Sequence, residues 1–313
     1  MPFWQVVSHD IAVWDKHAHF SGIVGLGHPS RIPEGFDADP SSKEDKTLLA
    51  AMGVGRFAIC LGRGGPKAPG WLSFGSAATS VGGSFQTIRV VGKVHWGVEL
   101  TEVSAVGAAL PNPCYPSCGA IVDSGTSLIA VPPSALPMVR VLSKMVRKDC
   151  SNLESLPVLH LKLGGVDIQL PPRAYVVKAQ TNSTSWQELL SGTVPARKSQ
   201  CSAAFMVVDK TSQVGPVWIL GMPFLRYYYT VFDRTSRQIH IAQATPTCAM
   251  KPPVESTGLL NTTGFGVKAG VDVGLGARTF SAADYEATEA DLGSLRMPSW
   301  ALASATANAP FIL

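Results

Sequence analysis

Up to about residue 250, short apolar runs alternate with glycine, proline and polar residues. The turn signals recur roughly every 8 to 12 positions, the spacing of many short strands in a sandwich or barrel-like body. Residues 22–27, Gly-Ile-Val-Gly-Leu-Gly, read as a buried strand whose glycines permit close backbone approach. Runs at 57–61 and 71–74 flank the Gly/Pro-rich stretch 62–70 and predict a hairpin with a long loop. Further strands are expected at 87–91, 95–100, 159–163 and 166–170. A hairpin with a polar tip is expected from 227–233 and 238–242. The fold class this implies is all-β.

One helix interrupts the pattern. Leu136, Val139, Leu142 and Val146 recur at spacings of three and four, which predicts a helix over 134–148. Arg140, Lys144, Arg147 and Lys148 then form its solvated face. Beyond residue 250 the periodicity dissolves into Gly, Ala, Thr and acidic residues, so 249–313 is expected to be a poorly ordered tail.

Composition narrows the function classes. The 313 residues are 46% hydrophobic and 15% charged, enough to fill a core and too apolar for a disordered chain. A net charge of +4 without a dense Lys/Arg block gives no support to nucleic-acid binding. No uninterrupted apolar run reaches the roughly 18 residues of a membrane span. Residues 1–5 are apolar only briefly and do not read as a signal peptide. Cys114 and Cys118 lie four apart and Cys150 and Cys201 lie 51 apart, whereas Cys60 and Cys248 stand alone. A zinc site would need a second close pair or nearby histidines, and Asp15, His17 and His19 alone do not make one. No metal and no cofactor are expected. Cys60, inside an apolar strand, reads as a small buried hydrophobe rather than a reactive thiol.

The chemistry concentrates at Asp123. It stands in a long apolar frame, Ala120-Ile121-Val122-Asp123-Ser124-Gly125-Thr126-Ser127-Leu128-Ile129-Ala130. A strand must enter the core, turn at Gly125 and leave again, which puts a carboxylate on a buried turn. Gly125 leaves room for its N–H to reach that carboxylate, and the Thr126 hydroxyl can donate to it. A carboxylate held by several donors keeps its charge despite partial burial. A simple type I turn with Asp at its first position would produce the same five residues. Ser124 lacks both the Gly-x-Ser-x-Gly frame and a neighbouring histidine, so it is not a serine nucleophile.

A second segment distinguishes these readings. Trp218-Ile219-Leu220-Gly221 is an apolar strand ending in glycine, followed by Phe224, Tyr227, Tyr228 and Tyr229 and then Thr230-Val231-Phe232-Asp233. The order resembles the C-terminal lobe of pepsin-like aspartic endopeptidases, where an Asp-Ser/Thr-Gly-Thr-Ser turn is cradled by such a strand. Residues 20–27 resemble the element that closes the family's N-terminal lobe, and residues 96–100 the Trp strand that opens its C-terminal lobe. Cys114 and Cys118 sit where the family has a small disulfide loop. Cys150 and Cys201 match its larger C-lobe bridge. The resemblance runs through residues 10–245.

It implies a pepsin-like fold with one complete C-terminal lobe and a truncated N-terminal lobe. Residues 1–80 would be the N-lobe remnant and the start of the interlobe region, 81–248 the catalytic lobe and 249–313 the tail. Asp123 would be the catalytic carboxylate, with Ser124, Gly125, Thr126, Ser127, Ile219, Leu220 and Gly221 supporting its turn. The family works with two aspartates, yet no second Asp-Thr/Ser-Gly occurs here; the nearest approach is Asp272-Val273-Gly274. Only 21 residues precede Gly22, where family order puts the first motif and the flap well upstream. The expectation is therefore a chain that begins after that motif, with open strand edges and exposed apolar surface in residues 1–75.

Three functional readings follow. These residues belong to an endopeptidase whose full chain carries both aspartates; or they form a silent lobe that binds peptides or a protein partner; or two copies pair their Asp123 residues, as in retroviral proteases. The partner implied is a peptide or protein substrate, once the missing lobe is supplied. Resemblance also implies the secretory pathway, a vacuole or lysosome, or the extracellular space. Glycosylation patterns at Asn182-Ser183-Thr184 and Asn261-Thr262-Thr263 matter only in that setting.

Overall fold

Fifteen strands and a few short helical segments make the described part of the chain mostly β. This computed structural model describes residues 23–27, 47–63, 70–79, 84–105, 111–180 and 199–249. Residues 250–313 of the expected tail, the two glycosylation patterns, residues 15–19 and Asp272 lie outside them.

The first sheet is antiparallel throughout, in the order β2-β1-β14-β15-β3. It contains β1 (Arg56–Cys60), β2 (Trp71–Phe74), β3 (Gln86–Arg89), β14 (Tyr228–Asp233) and β15 (Gln238–Gln243). The hairpin of β1 and β2 and that of β14 and β15 are both as the alternation predicts. β14 lies centrally and is buried at all six positions. β2 is an edge among the described residues, and Trp71 and Phe74 on it stay partly exposed. The sheet joins strands from both sides of residue 80.

The second sheet carries the Asp turn. It comprises β4 (Gly97–Ala105), β5 (Cys118–Val122), β6 (Ile129–Val131), β7 (Leu159–Leu163), β8 (Val166–Leu170), β11 (Phe205–Val207) and β13 (Gly215–Leu220). Their order is β11-β6-β13-β5-β4-β7-β8, with β12 (Thr211–Ser212) paired to β13. The pairs β5–β13 and β6–β11 are parallel and the rest antiparallel. Both β5 and the second half of β13 are buried without interruption, as strands covered on both faces must be. A separate ribbon pairs β9 (Val176–Gln180) with β10 (Ser199–Ala203).

Aromatic side chains bind the two sheets into one core. Phe57 of β1 stacks on Phe232 of β14 with centroids 4.8 Å apart. Trp96, just ahead of β4, packs against both, at 5.9 Å from Phe57 and 5.1 Å from Phe232. Among the described residues four short helices border the strands: α1 (Leu48–Ala51), α2 (Leu136–Met145), α3 (Pro172–Tyr175) and α4 (Met222–Leu225). The predicted helix is α2, entered through a 3₁₀ turn at Pro133–Ala135 with proline in its first turn. Its buried residues are Met138 and Leu142. No helix among the described residues is long and apolar enough to cross a membrane.

Two expectations fail. Residues 23–27 are not a buried strand: Ile23 is 71% and Val24 64% exposed, and nothing among the described residues pairs with them. Leu26 alone of these is half-buried, packing against the core while its carbonyl accepts from Trp96 Nε1 at 2.8 Å. Apolar composition favours burial, but a strand also needs a neighbour to pair with. Cys60 is buried but not a free thiol, because it forms a disulfide with Cys248. The Arg63 N–H donates to the Pro246 carbonyl at 3.0 Å, which brings the chain after β1 against the chain after β15 and sets the two cysteines side by side. Cys114–Cys118 and Cys150–Cys201 are bridged as expected, leaving no free cysteine among the described residues.

Candidate active site

Strand β13 separates β5 from β6, so residues 123–128 must cross over its end. Ile121 pairs with Ile219 and Val122 with Leu220, and on the other side of β13 Leu220 pairs with Ile129. Asp123 is the first residue past the ladder, its N–H donating to the Leu220 carbonyl at 3.1 Å. The crossing is held again where the Met222 N–H donates to the Thr126 carbonyl at 2.7 Å. A side chain at Gly221 would collide with the carbonyl oxygens of Thr126 and Leu128. Glycine is required there because two backbones meet at that point.

This crossing fixes the carboxylate. The Gly125 N–H donates to Asp123 Oδ1 at 2.9 Å, and Thr126 Oγ1 donates to Oδ2 at 2.6 Å. A Cβ on Gly125 would stand only 3.2 Å from Oδ1, so the close approach is best made by glycine. Thr126 is 2% exposed, Asp123 and Ser127 are half-buried, and Ser124 and Gly125 are exposed. The structure thus brings Asp123, Ser124, Gly125, Thr126, Ser127, Ile219, Leu220 and Gly221 into one place. Each carboxylate oxygen has a second lone pair left to accept from water or from another carboxyl group.

The loop leading into β5 is equally constrained. Cys114 and Cys118 close a small ring at its entry, with Cα atoms 5.1 Å apart. Asn112 Oδ1 accepts from the N–H groups of Val103 and Cys114, at 3.1 and 3.0 Å. Among the described residues no cluster of His, Cys, Asp or Glu could hold a metal ion.

Sequence reasoning missed His95. The register of β4 on β5 pairs Gly97 with Ile121, and the Val122 N–H donates to the Trp96 carbonyl at 3.0 Å. Continued by one step, that register sets residue 95 opposite residue 123. Burial lowers the His95 imidazole below its ordinary pKa, and attraction to the Asp123 carboxylate opposes the drop. The sequence signal was a histidine directly before the Trp strand, but its meaning depends on a pairing that no local pattern reveals.

Residues 5–244 match the model of the eukaryotic aspartyl protease family. The chain belongs to that family. It is 30% identical to rat (Rattus norvegicus) cathepsin D over 240 residues, covering 72% of this chain and 53% of that protein. Against human (Homo sapiens) cathepsin D the identity is 31% over 241 residues, covering 72% and 53%. Against bovine (Bos taurus) pepsin A it is 30% over 234 residues, covering 72% and 56%. The chain thus spans about half the length of the curated relatives it matches. In this eukaryotic aspartyl protease chain, Asp123 is the aspartate of the sole Asp-Ser/Thr-Gly among its 313 residues.

Proposed function

We propose that this chain is the second-aspartate half of an aspartic endopeptidase, and that Asp123 cleaves peptide bonds only beside a second carboxyl group from an Asp-Thr/Ser-Gly turn that these residues do not contain. The supporting observation is the doubly hydrogen-bonded Asp123 carboxylate at the crossing over β13.

The chemistry requires a pair. Two carboxyl groups about 3 Å apart cannot both ionise, so one remains protonated. The ionised member takes a proton from a water held between them as its oxygen attacks the scissile carbonyl carbon. The protonated member gives its proton to the carbonyl oxygen, producing a gem-diol. Collapse of the gem-diol breaks the C–N bond, and the leaving nitrogen gains a proton from the pair. Asp123 alone can accept a proton but cannot also donate one to the carbonyl. Ser124, exposed beside it, is the hydroxyl that would link this turn to its counterpart in the other lobe. The substrate is a peptide or protein, and no cofactor enters the reaction. In this reading residues 1–80 are what the chain retains of the first lobe and the interlobe region.

The test is a quenched fluorescent peptide offered to the purified chain at acidic pH over a wide concentration range, with and without pepstatin. The expected result is no pepstatin-sensitive cleavage. Cleavage proportional to chain concentration would place a second carboxyl group within the chain and overturn the proposal. Cleavage rising with the square of concentration, and abolished by Asp123→Asn, would mean that two copies pair their aspartates. Transcript sequence upstream of the Met1 codon gives an independent check. An in-frame Asp-Thr/Ser-Gly is expected there, and its absence would leave a silent peptide-binding lobe.

A further inference from the structure

We infer that His95 is a positioning residue for Asp123: as an imidazolium it holds the negative charge of the catalytic pair on that carboxyl group. This rests on the proposal that Asp123 is one of two catalytic carboxyls.

The argument begins with register. β4 and β5 are antiparallel with Gly97 opposite Ile121, so the ladder's next positions are 96 with 122 and 95 with 123. The first of these is realised by the Val122 N–H to Trp96 carbonyl bond. His95 and Asp123 therefore leave the same end of two adjacent strands. The His95 backbone is fixed there, since its carbonyl accepts from the Gly97 N–H at 2.7 Å. A side chain at Gly92 would collide with that same carbonyl, so the 92–97 turn is closed tightly around it.

Other charges lie around this turn. Lys93 and Glu99 are on the same segment. From the β14–β15 turn, Arg237 donates Nη2 to the Gly92 carbonyl at 3.0 Å, and Arg89 ends β3. Burial of the half-buried imidazole disfavours its charged form, and attraction to the Asp123 carboxylate works against that burial.

A pair of equivalent carboxyls leaves open which one ionises. A cation on one side removes that symmetry, because an opposite charge nearby favours the ionised form of the carboxyl it faces. With His95 protonated, Asp123 is the base that takes the proton from water, and the absent partner is the acid. The effect is present below the imidazole's titration and is lost as pH rises through it.

The test follows the ring resonances of His95 by NMR through a pH titration of the whole chain, using His160 and His240 as internal references. In Asp123→Asn the His95 midpoint is expected to move to lower pH, because the attraction is gone. In Asp123→Glu, which keeps the charge, it is expected to stay near the wild-type value. Unmoved His160 and His240 midpoints would show that the fold is intact. An unchanged His95 midpoint in Asp123→Asn, or equal shifts in both variants, would overturn the inference. Neither result depends on peptide cleavage, so this inference can fail while the endopeptidase reading stands, and the cleavage assay can fail while the coupling is found.

Discussion

At Gly221 two parts of the active turn occupy space that one methyl group would fill. The carbonyl oxygens of Thr126 and Leu128 face the place where a side chain would start, and the Met222 N–H is already bonded to Thr126. Gly221→Ala must therefore push the 123–128 segment away from β13. Overpacking of this kind costs about 3 kcal/mol at the upper end of its usual range. The expected outcome in chemical denaturation is a lower midpoint, and in NMR a displaced Thr126 hydroxyl environment. Native stability with an unmoved Thr126 would contradict the crossing. The residues of this turn were legible in the sequence because their interactions are local: Gly125 and Thr126 reach back two and three positions to Asp123. His95 was not legible, because it meets Asp123 through a ladder between segments nearly thirty residues apart.

The same division holds for whole elements. The strands β7 and β8 and the β14–β15 hairpin were readable because their alternation, and in the hairpin the turn as well, lie in one window. The strands β9, β10 and β11 were not, since each depends on a partner outside its own window. The exposed segment 23–27 is the converse, an apolar run that pairs with nothing described. The Cys60–Cys248 bridge was equally invisible, its cysteines being 188 positions apart and adjacent only after β1, β14 and β15 assemble. That separation has a thermodynamic consequence. In the chain-entropy model a loop of this length is worth about 5 kcal/mol, and the 51-residue loop of Cys150–Cys201 about 4 kcal/mol. Replacing Cys60 and Cys248 by alanine should thus lower the unfolding midpoint more than replacing Cys150 and Cys201. Urea titrations of the two double variants decide it. A larger loss from the shorter loop would show that strain or residual unfolded structure outweighs loop entropy here.

For the molecule as a whole, the five-stranded sheet carries its own response to acid. Among the described residues one ion pair spans it: Arg56 Nη2 of β1 meets Asp233 Oδ2 of β14 at 2.8 Å. Asp233 is almost wholly buried. Burial alone would raise its pKa, but the Ser236 N–H, the Arg56 charge and the Thr235 N–H together outweigh burial and hold the carboxyl below its ordinary value. The sign of the linkage follows. A carboxyl with a depressed folded-state pKa adds stability that is complete above the unfolded value, near 3.9, and is lost as pH falls through the folded one. The sheet therefore keeps this contribution through mildly acidic pH and loses it only in strong acid. Asp233→Asn removes a charge-assisted bond worth roughly 1.5–3 kcal/mol and should be less stable than wild type at pH 6. As pH is lowered below about 4, the two stabilities should begin to converge, because the unfolded carboxyl then takes up its proton, and they should meet only in stronger acid, where the folded carboxyl is protonated as well. Thermal unfolding of both proteins between pH 6 and strong acid measures this directly. A difference that stays constant across that range would mean that the Arg56–Asp233 pair does not set the acid limit of the fold.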